Sequence, residues 1–297
     1  MTEHTVDVGR GISLTYEQFG EGEPLVLIAG LSEQLNSWPT EFCQELADRG
    51  YQVTRFDNRD VGTSTHIRFR PASPLAMLTR RWPPEQYTLT DMAEDTVGLL
   101  DALGHDDAHL VGISMGGMIA QTVAAKWPKR ARTLTSIMST TGARKIGRPA
   151  LSTWLRMATK PPTTREGAMD RSAAMFRHIG SHGFPYDEAW VRQHAGEAWD
   201  KDPTTGGAAR QLAAILKSGD RTSRLRAVTT PTLVVHGDRD LMVHPTGGLA
   251  TQRAIIGARL ATVPGMGHDL PRGAWPVLLD LIDDHAKARS SDAPTTS

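Results

Sequence analysis

Val111-Gly112-Ile113-Ser114-Met115-Gly116-Gly117 sets a Gly-x-Ser-x-Gly pattern between a strand-like run and a helix-like run, and this stretch decides the fold. Ahead of it, Ala108-His109-Leu110-Val111 reads as a buried strand; behind it, Met118, Ile119, Thr122, Val123 and Ala124 recur with helical spacing until Trp127-Pro128 stops the helix. Ser114 is therefore expected on a sharp strand-to-helix turn. Its backbone is strained there, and only hydrogen fits two positions away on either side, a need met by Gly112 and Gly116. The pattern also fits an ordinary glycine-rich turn that contains a serine, so catalysis requires further groups at the right places along the chain.

Outward from this elbow, strands alternate with helices. Thr5 to Val8 and Ile12 to Phe19 flank a Gly9-Arg10-Gly11 hairpin turn, Pro24 to Ala29 is apolar throughout, and Tyr51 to Phe56 is another strand. A helix is predicted from about Pro39 to Arg49, with Gly50 as its stop. A second runs from Thr88 to Leu103, where Thr88 and Asp91 form a capping box. Thr133 to Ser139, Pro231 to Val235 and Arg259 to Val263 complete about eight strands. Such alternation implies an α/β fold with a mostly parallel, doubly wound sheet whose ligands bind beyond the carboxyl ends of the strands.

Between residues 142 and 226 the alternation gives way to three or four helical stretches, read as an inserted helical cap on a core of residues 1–141 and 227–285. Met157, Met169, Met175, Phe176, Trp154, Trp190 and Trp199 lie in it, either packing its own interior or facing a greasy pocket. The small, polar segment 286–297 is expected to be a disordered tail.

The 297 residues carry 33 basic and 33 acidic side chains, so no overall field draws nucleic acid or an anionic membrane, and the expected partner is a small molecule. Cys43 is the single cysteine, which excludes an internal disulfide and suits a reducing cytoplasm; it reads as a small buried hydrophobe. Neither a leader-like start nor an 18-residue apolar run is present, so no membrane span is expected. Peripheral lipid contact stays open for residues 66–87, where Arg68, Arg70, Arg80 and Arg81 interleave with Phe69, Leu75, Met77, Leu78 and Trp82. That segment is a solvated basic loop with a short helix, or a flap.

A serine hydroxyl needs an adjacent base, and the base needs an acid to orient it. Of eleven histidines, His268 follows the last strand in a glycine-rich loop, which makes it the base. Two carboxylates follow the preceding strand. Asp238 is assigned to the tight turn and Asp240 to the imidazole, while His236 and His244 are read as structural because a metal site needs more ligands. The oxyanion of a tetrahedral intermediate calls for two backbone N–H donors, assigned to Met115 after the elbow and Leu31 after the Pro24 to Ala29 strand.

Taken together, these motifs resemble the α/β-hydrolase family over nearly the whole chain, in its order Ser114, Asp240, His268. Phe56-Asp57-Asn58-Arg59-Asp60-Val61-Gly62-Thr63-Ser64 is similar to the family's turn after the fourth strand, usually F-D-x-R-G-x-G-x-S, with Asp60 in place of glycine. With Gly30-Leu31 and Trp38-Pro39, it resembles the serine esterase branch of anthracycline (aclacinomycin-type) methylesterases and actinobacterial lipase/esterase-like proteins. Ala29 stands where many members have histidine, a departure that leaves a backbone oxyanion hole intact. Asp57, Arg59 and Asp60 are given turn and ion-pair roles. The resemblance implies a serine carboxylic-ester hydrolase that needs no cofactor or metal and takes a small to medium hydrophobic ester. Thioesterase, lactonase, perhydrolase and carbon–carbon bond hydrolase chemistry share the same triad. A non-catalytic ligand-binding homologue is the competing class, separable by whether a fluorophosphonate probe labels Ser114 and abolishes turnover.

Overall fold

A computed structural model describes residues 2–204 and 206–290. Eight strands, β1 (His4–Asp7), β2 (Ser13–Phe19), β3 (Glu23–Ile28), β4 (Tyr51–Phe56), β5 (Ala108–Ile113), β6 (Ala131–Ile137), β7 (Thr232–Gly237) and β8 (Arg259–Val263), form one sheet in the order β1-β2-β4-β3-β5-β6-β7-β8. β1, β2 and β4 pair antiparallel in that order, and every other pairing is parallel. The expected α/β architecture is thus present, with its antiparallel part confined to one edge.

Packing explains why Pro24 to Ala29 reads as an unbroken apolar run. Along β3, Val26 and Ile28 enter the same core as Leu110 of β5 and Leu134 of β6, while Leu25 and Leu27 enter the opposite core with Val111 and Val235. Side chains alternate between the two faces and helices cover both, which favours apolar residues along β3, while His109, Thr133, Ser136 and His236 are buried polar exceptions on the neighbouring strands. Helices α1 (Thr40–Ala47), α2 (Pro74–Thr79), α3 (Leu89–Ala102) and α4 (Met115–Lys126) follow in order. α3 starts at the predicted Thr88–Asp91 capping box. It packs with α4 on the first face; Phe42 and Leu46 of α1 pack on the second.

Between β6 and β7 come α5 (Leu151–Met157), α6 (Arg165–Ile179), α7 (Glu188–Lys201), α8 (Gly206–Ser218) and the single turn α9 (Thr222–Leu225). After β7 come α10 (Thr246–Ala254) and, after β8, α11 (Trp275–Ser290). The expected disorder of 286–297 is corrected for its first residues. α11 continues through Ser290 because Ala286 extends the buried stripe of Leu279 and Ile282 at helical spacing; residues 291–297 lie outside the described ones. Within 66–87, α2 is the one short helix among described residues, and its Leu75 and Leu78 are exposed. No described helix is long and apolar enough to cross a membrane.

Candidate active site

Ser114 sits between β5 and α4 with φ 52° and ψ −116°, the strained elbow that the pattern predicts. A Cβ on Gly112 would lie 2.3 Å from the Gly116 carbonyl oxygen, and one on Gly116 would lie 2.0 Å from that of Ile28. Both glycines are therefore steric necessities. The turn is held by the Ser114 N–H donating to Ile137 O (2.9 Å) and by the Ser139 hydroxyl donating to Ser114 O (2.8 Å). Ser139 carries no sequence signal, since its role depends on where the end of β6 falls.

His268 lies in the loop after β8, with Nε2 3.0 Å from Ser114 Oγ and Nδ1 2.8 Å from Asp240 Oδ2. The network assigns Nδ1–H as donor to the carboxylate and leaves Nε2 to accept the serine proton. Burial of the Asp240 carboxyl raises its pKa. The His268 charge and hydrogen bonds from His236 and His268 outweigh that, and hold the group well below the usual carboxylate range. Its other oxygen accepts from the N–H groups of Met242 and Val243, both at 2.8 Å.

Asp238 differs in detail from its expected role: it accepts from Gly265 N–H at 2.7 Å across the gap, pinning the loop that carries His268. The tight turn is closed by Asp240 itself, because two free N–H groups follow it there. His236 donates to Val243 O (2.8 Å) and its Nε2 stands 3.4 Å from the Asp240 carboxylate. His244 bonds Thr246. Among the described residues no three His, Cys, Asp or Glu side chains converge as a metal site.

The loop of Leu31 lies beside the serine: a Cβ on Gly30 would be 3.5 Å from Ser114 Cβ. Ser32, at φ 60°, donates its N–H to Gln211 Oε1 of α8 (2.8 Å), whose amide nitrogen donates to Arg59 O (2.8 Å). Met115 N–H opens α4, where the first amides lack helical acceptors. Gln211 was invisible in the sequence, being one of several polar residues of α8 beside Arg210, Lys217 and Ser218.

The Phe56–Ser64 turn is held by charge. Asp57 accepts from Leu35 N–H (2.6 Å) and pairs with Lys201 (2.9 Å); Arg59 pairs with Asp95. Asp60 has φ 72°, a left-handed conformation that aspartate tolerates and that accounts for glycine at this point in the family pattern. Its carboxylate takes two bonds from Arg210 (2.7 and 2.9 Å) and one from Tyr87 (2.7 Å).

A second set of contacts escaped the sequence. His268 N–H donates to Ile179 O (2.8 Å), Gly267 N–H to Ser181 Oγ (2.9 Å), and Ser181 N–H and Oγ to Asp269 Oδ1. Burial pushes the Asp269 carboxyl up, against the lowering effect of the Ser181 bonds. The adjacency of Asp269 to His268 was the one available clue.

The chain belongs to the alpha/beta hydrolase fold family, whose model matches residues 23–271. It is similar to the rhodomycin D methylesterase DnrP of Streptomyces peucetius, at 28% identity over 290 residues, 89% of this chain and 91% of that protein. This agrees with the methylesterase resemblance of the Phe56–Ser64 turn. Among solved structures, the fold matches the E-2-(acetamidomethylene)succinate hydrolase (TM-score 0.75, 22% identity, 96% of this chain and 99% of that one). It also matches the enol-lactonase of Burkholderia xenovorans LB400 (TM-score 0.72, 20% identity, 94% and 98%).

Proposed function

We propose that the protein is a serine carboxylic-ester hydrolase that works through an acyl-enzyme, with Ser114 as nucleophile, His268 as general base and acid, and Asp240 as its orienting acid. The observation that carries this reading is the unbroken chain of Asp240, His268 and Ser114, with links of 2.8 and 3.0 Å. Ser114 Oγ attacks the acyl carbon as His268 Nε2 takes its proton, and the carbonyl oxygen becomes an oxyanion facing the N–H groups of Leu31 and Met115. The intermediate expels the alcohol, protonated by His268; water, deprotonated by the same nitrogen, then releases the acid and restores Ser114. Every proton moved has a donor and an acceptor among these groups.

Residues 142–226 form the cap over the site in this reading. The Gln211 bond to the Leu31 loop and the Ile179 bond to His268 support it, since both reach the site from that segment. Methyl esters of bulky acids are the first substrates to try, because similar proteins bear methylesterase names. The lone buried cysteine fits a cytoplasmic enzyme.

Ser114→Ala is expected to lower turnover of a nitrophenyl ester by roughly a million-fold with melting unchanged, and to abolish fluorophosphonate labelling. Wild-type protein that binds the ester without turning it over, or a variant of near wild-type activity, overturns the reading.

A further inference from the structure

Three features meet on the outer side of α5. Leu151, Trp154 and Leu155 recur at helical spacing on one face, yet remain 76%, 46% and 67% exposed. The opposite side is anchored: Thr153 is buried and donates to Leu241 O at 3.0 Å, and Ala150 N–H donates to the same oxygen at 2.9 Å. The apolar side chains therefore point away from the protein by construction. Trp154, one of the aromatic residues expected to pack the segment or face a pocket, does neither completely.

Charge is the second feature. In a chain with equal numbers of basic and acidic residues, the stretch from Arg144 to Lys160 holds five basic side chains and no acid. Among the described residues none of the five makes an ion pair, whereas the exposed Arg165, Arg177 and Arg192 of the neighbouring α6 and α7 are paired with Asp200, Glu188 and Asp170. The third is a groove of about 290 Å³ between α5 and α6, walled by Arg156, Lys160 and Arg171 with Pro162 and Met175. Arg171 is held on that wall by bonds to the carbonyls of Thr159 and Lys160.

We propose that this face docks on an anionic lipid surface, Leu151, Trp154 and Leu155 entering the apolar boundary while a headgroup phosphate occupies the groove of Arg156, Lys160 and Arg171. A tryptophan with one apolar and one polar end suits that boundary, and basic side chains around an apolar patch supply the second signal that stable adsorption needs. Unpaired cations on both sides of individually protruding aliphatic tips match a fluid, uniformly charged surface better than a rigid partner that needs paired geometry. Because α5 leans on Leu241, next to Asp240, adsorption holds the proposed ester site close to molecules dissolved in the lipid. Binding to lipid is read without turnover, so it stands or falls separately from the esterase reading.

The test is co-sedimentation with vesicles of equal parts phosphatidylglycerol and phosphatidylcholine, against vesicles of phosphatidylcholine alone, with tryptophan emission as a second readout. Wild-type protein is expected to partition onto the anionic vesicles with a blue shift that Trp154→Phe removes. Each basic side chain at an anionic surface contributes about fivefold, so Arg156→Gln with Lys160→Gln should weaken partitioning about 25-fold, and free inorganic phosphate should not displace the protein. Leu151→Ser with Leu155→Ser should abolish it, at unchanged melting temperature. If that pair fails to fold, the glutamine pair and Trp154→Phe decide. No partitioning, equal partitioning onto neutral vesicles, or partitioning unaffected by the glutamine pair overturns the proposal. So does a dimer in solution that Leu155→Ser dissociates, which would assign the face to a second copy of the chain.

Discussion

Replacing Asp240 by Asn separates the two carboxylates after β7 more sharply than any other single change. The Asn oxygen can still accept from the Met242 and Val243 N–H groups, so the turn survives. Its amide nitrogen then faces His268 Nδ1, 2.8 Å away in the native pair, and two donors confront each other. Relief comes only if the imidazole moves its proton to Nε2, where it meets the serine hydroxyl and can no longer accept from it. A wrong tautomer of this kind costs about 10⁴ in kcat, about 5 kcal/mol of transition-state stabilisation. Asp238→Asn keeps the acceptor for Gly265 N–H and should stay within about threefold of wild type. Initial rates of nitrophenyl butyrate hydrolysis decide the matter. An Asp240→Asn enzyme within about tenfold of wild type, or an Asp238→Asn enzyme that is the worse of the two, refutes the reasoning. The same variant carries a pH test. Because the Asp240 carboxyl is held below its unfolded value of about 3.9, its stabilisation is fully present above that pH and lost as pH falls through the folded value. Urea midpoints of wild type and variant should therefore converge on acidification below about pH 4, and a gap that widens contradicts the assignment.

Asp60→Gly should relax the backbone at φ 72° yet leave the Arg210 guanidinium, with only 9% of its side chain exposed, without a counter-ion. A net loss of about 3 kcal/mol is expected, seen as a lower melting temperature, and an unchanged one would exclude a structural role for the pair. Burial pushes the Cys43 thiol up to about 12, so a thiol-reactive dye should label it only in denaturant, and rapid native labelling counts against its packing. Burial, aided by Arg259, lowers His285 to about 4. The unfolded chain takes up its proton first, and stability should fall by roughly 3 kcal/mol as pH drops from 6.5 to 4. His285→Gln should flatten that limb in urea titrations, and an equally steep limb would assign the loss elsewhere.

The parts of the molecule governed by local rules were legible in the sequence. Gly112 and Gly116 are fixed by collisions within a few residues of Ser114, the Thr88–Asp91 box by one helical turn, and β3 by an apolar run that enters both packed faces of the sheet. The order of Ser114, Asp240 and His268 followed from strand ends, which the alternation of elements locates. Contacts between distant segments were not legible: Gln211 with the Leu31 loop and Ser181 with Asp269 join residues 179 and 88 positions apart. The end of α11 was missed for a related reason, since Ala286 looks like tail composition until the helix is seen to bury it.

The bonds from Ile179, Ser181 and Gly183 tie the loop of residues 265–269 to the segment between β6 and β7, in addition to the bond of Gly265 to Asp238 at the end of β7. Replacing the segment between β6 and β7 would withdraw the Ile179 main-chain contact of His268 along with the Gln211 contact of the Leu31 loop. With His268 as the proposed base, a chimaera that keeps residues 179–183 is expected to turn over faster than one that replaces them.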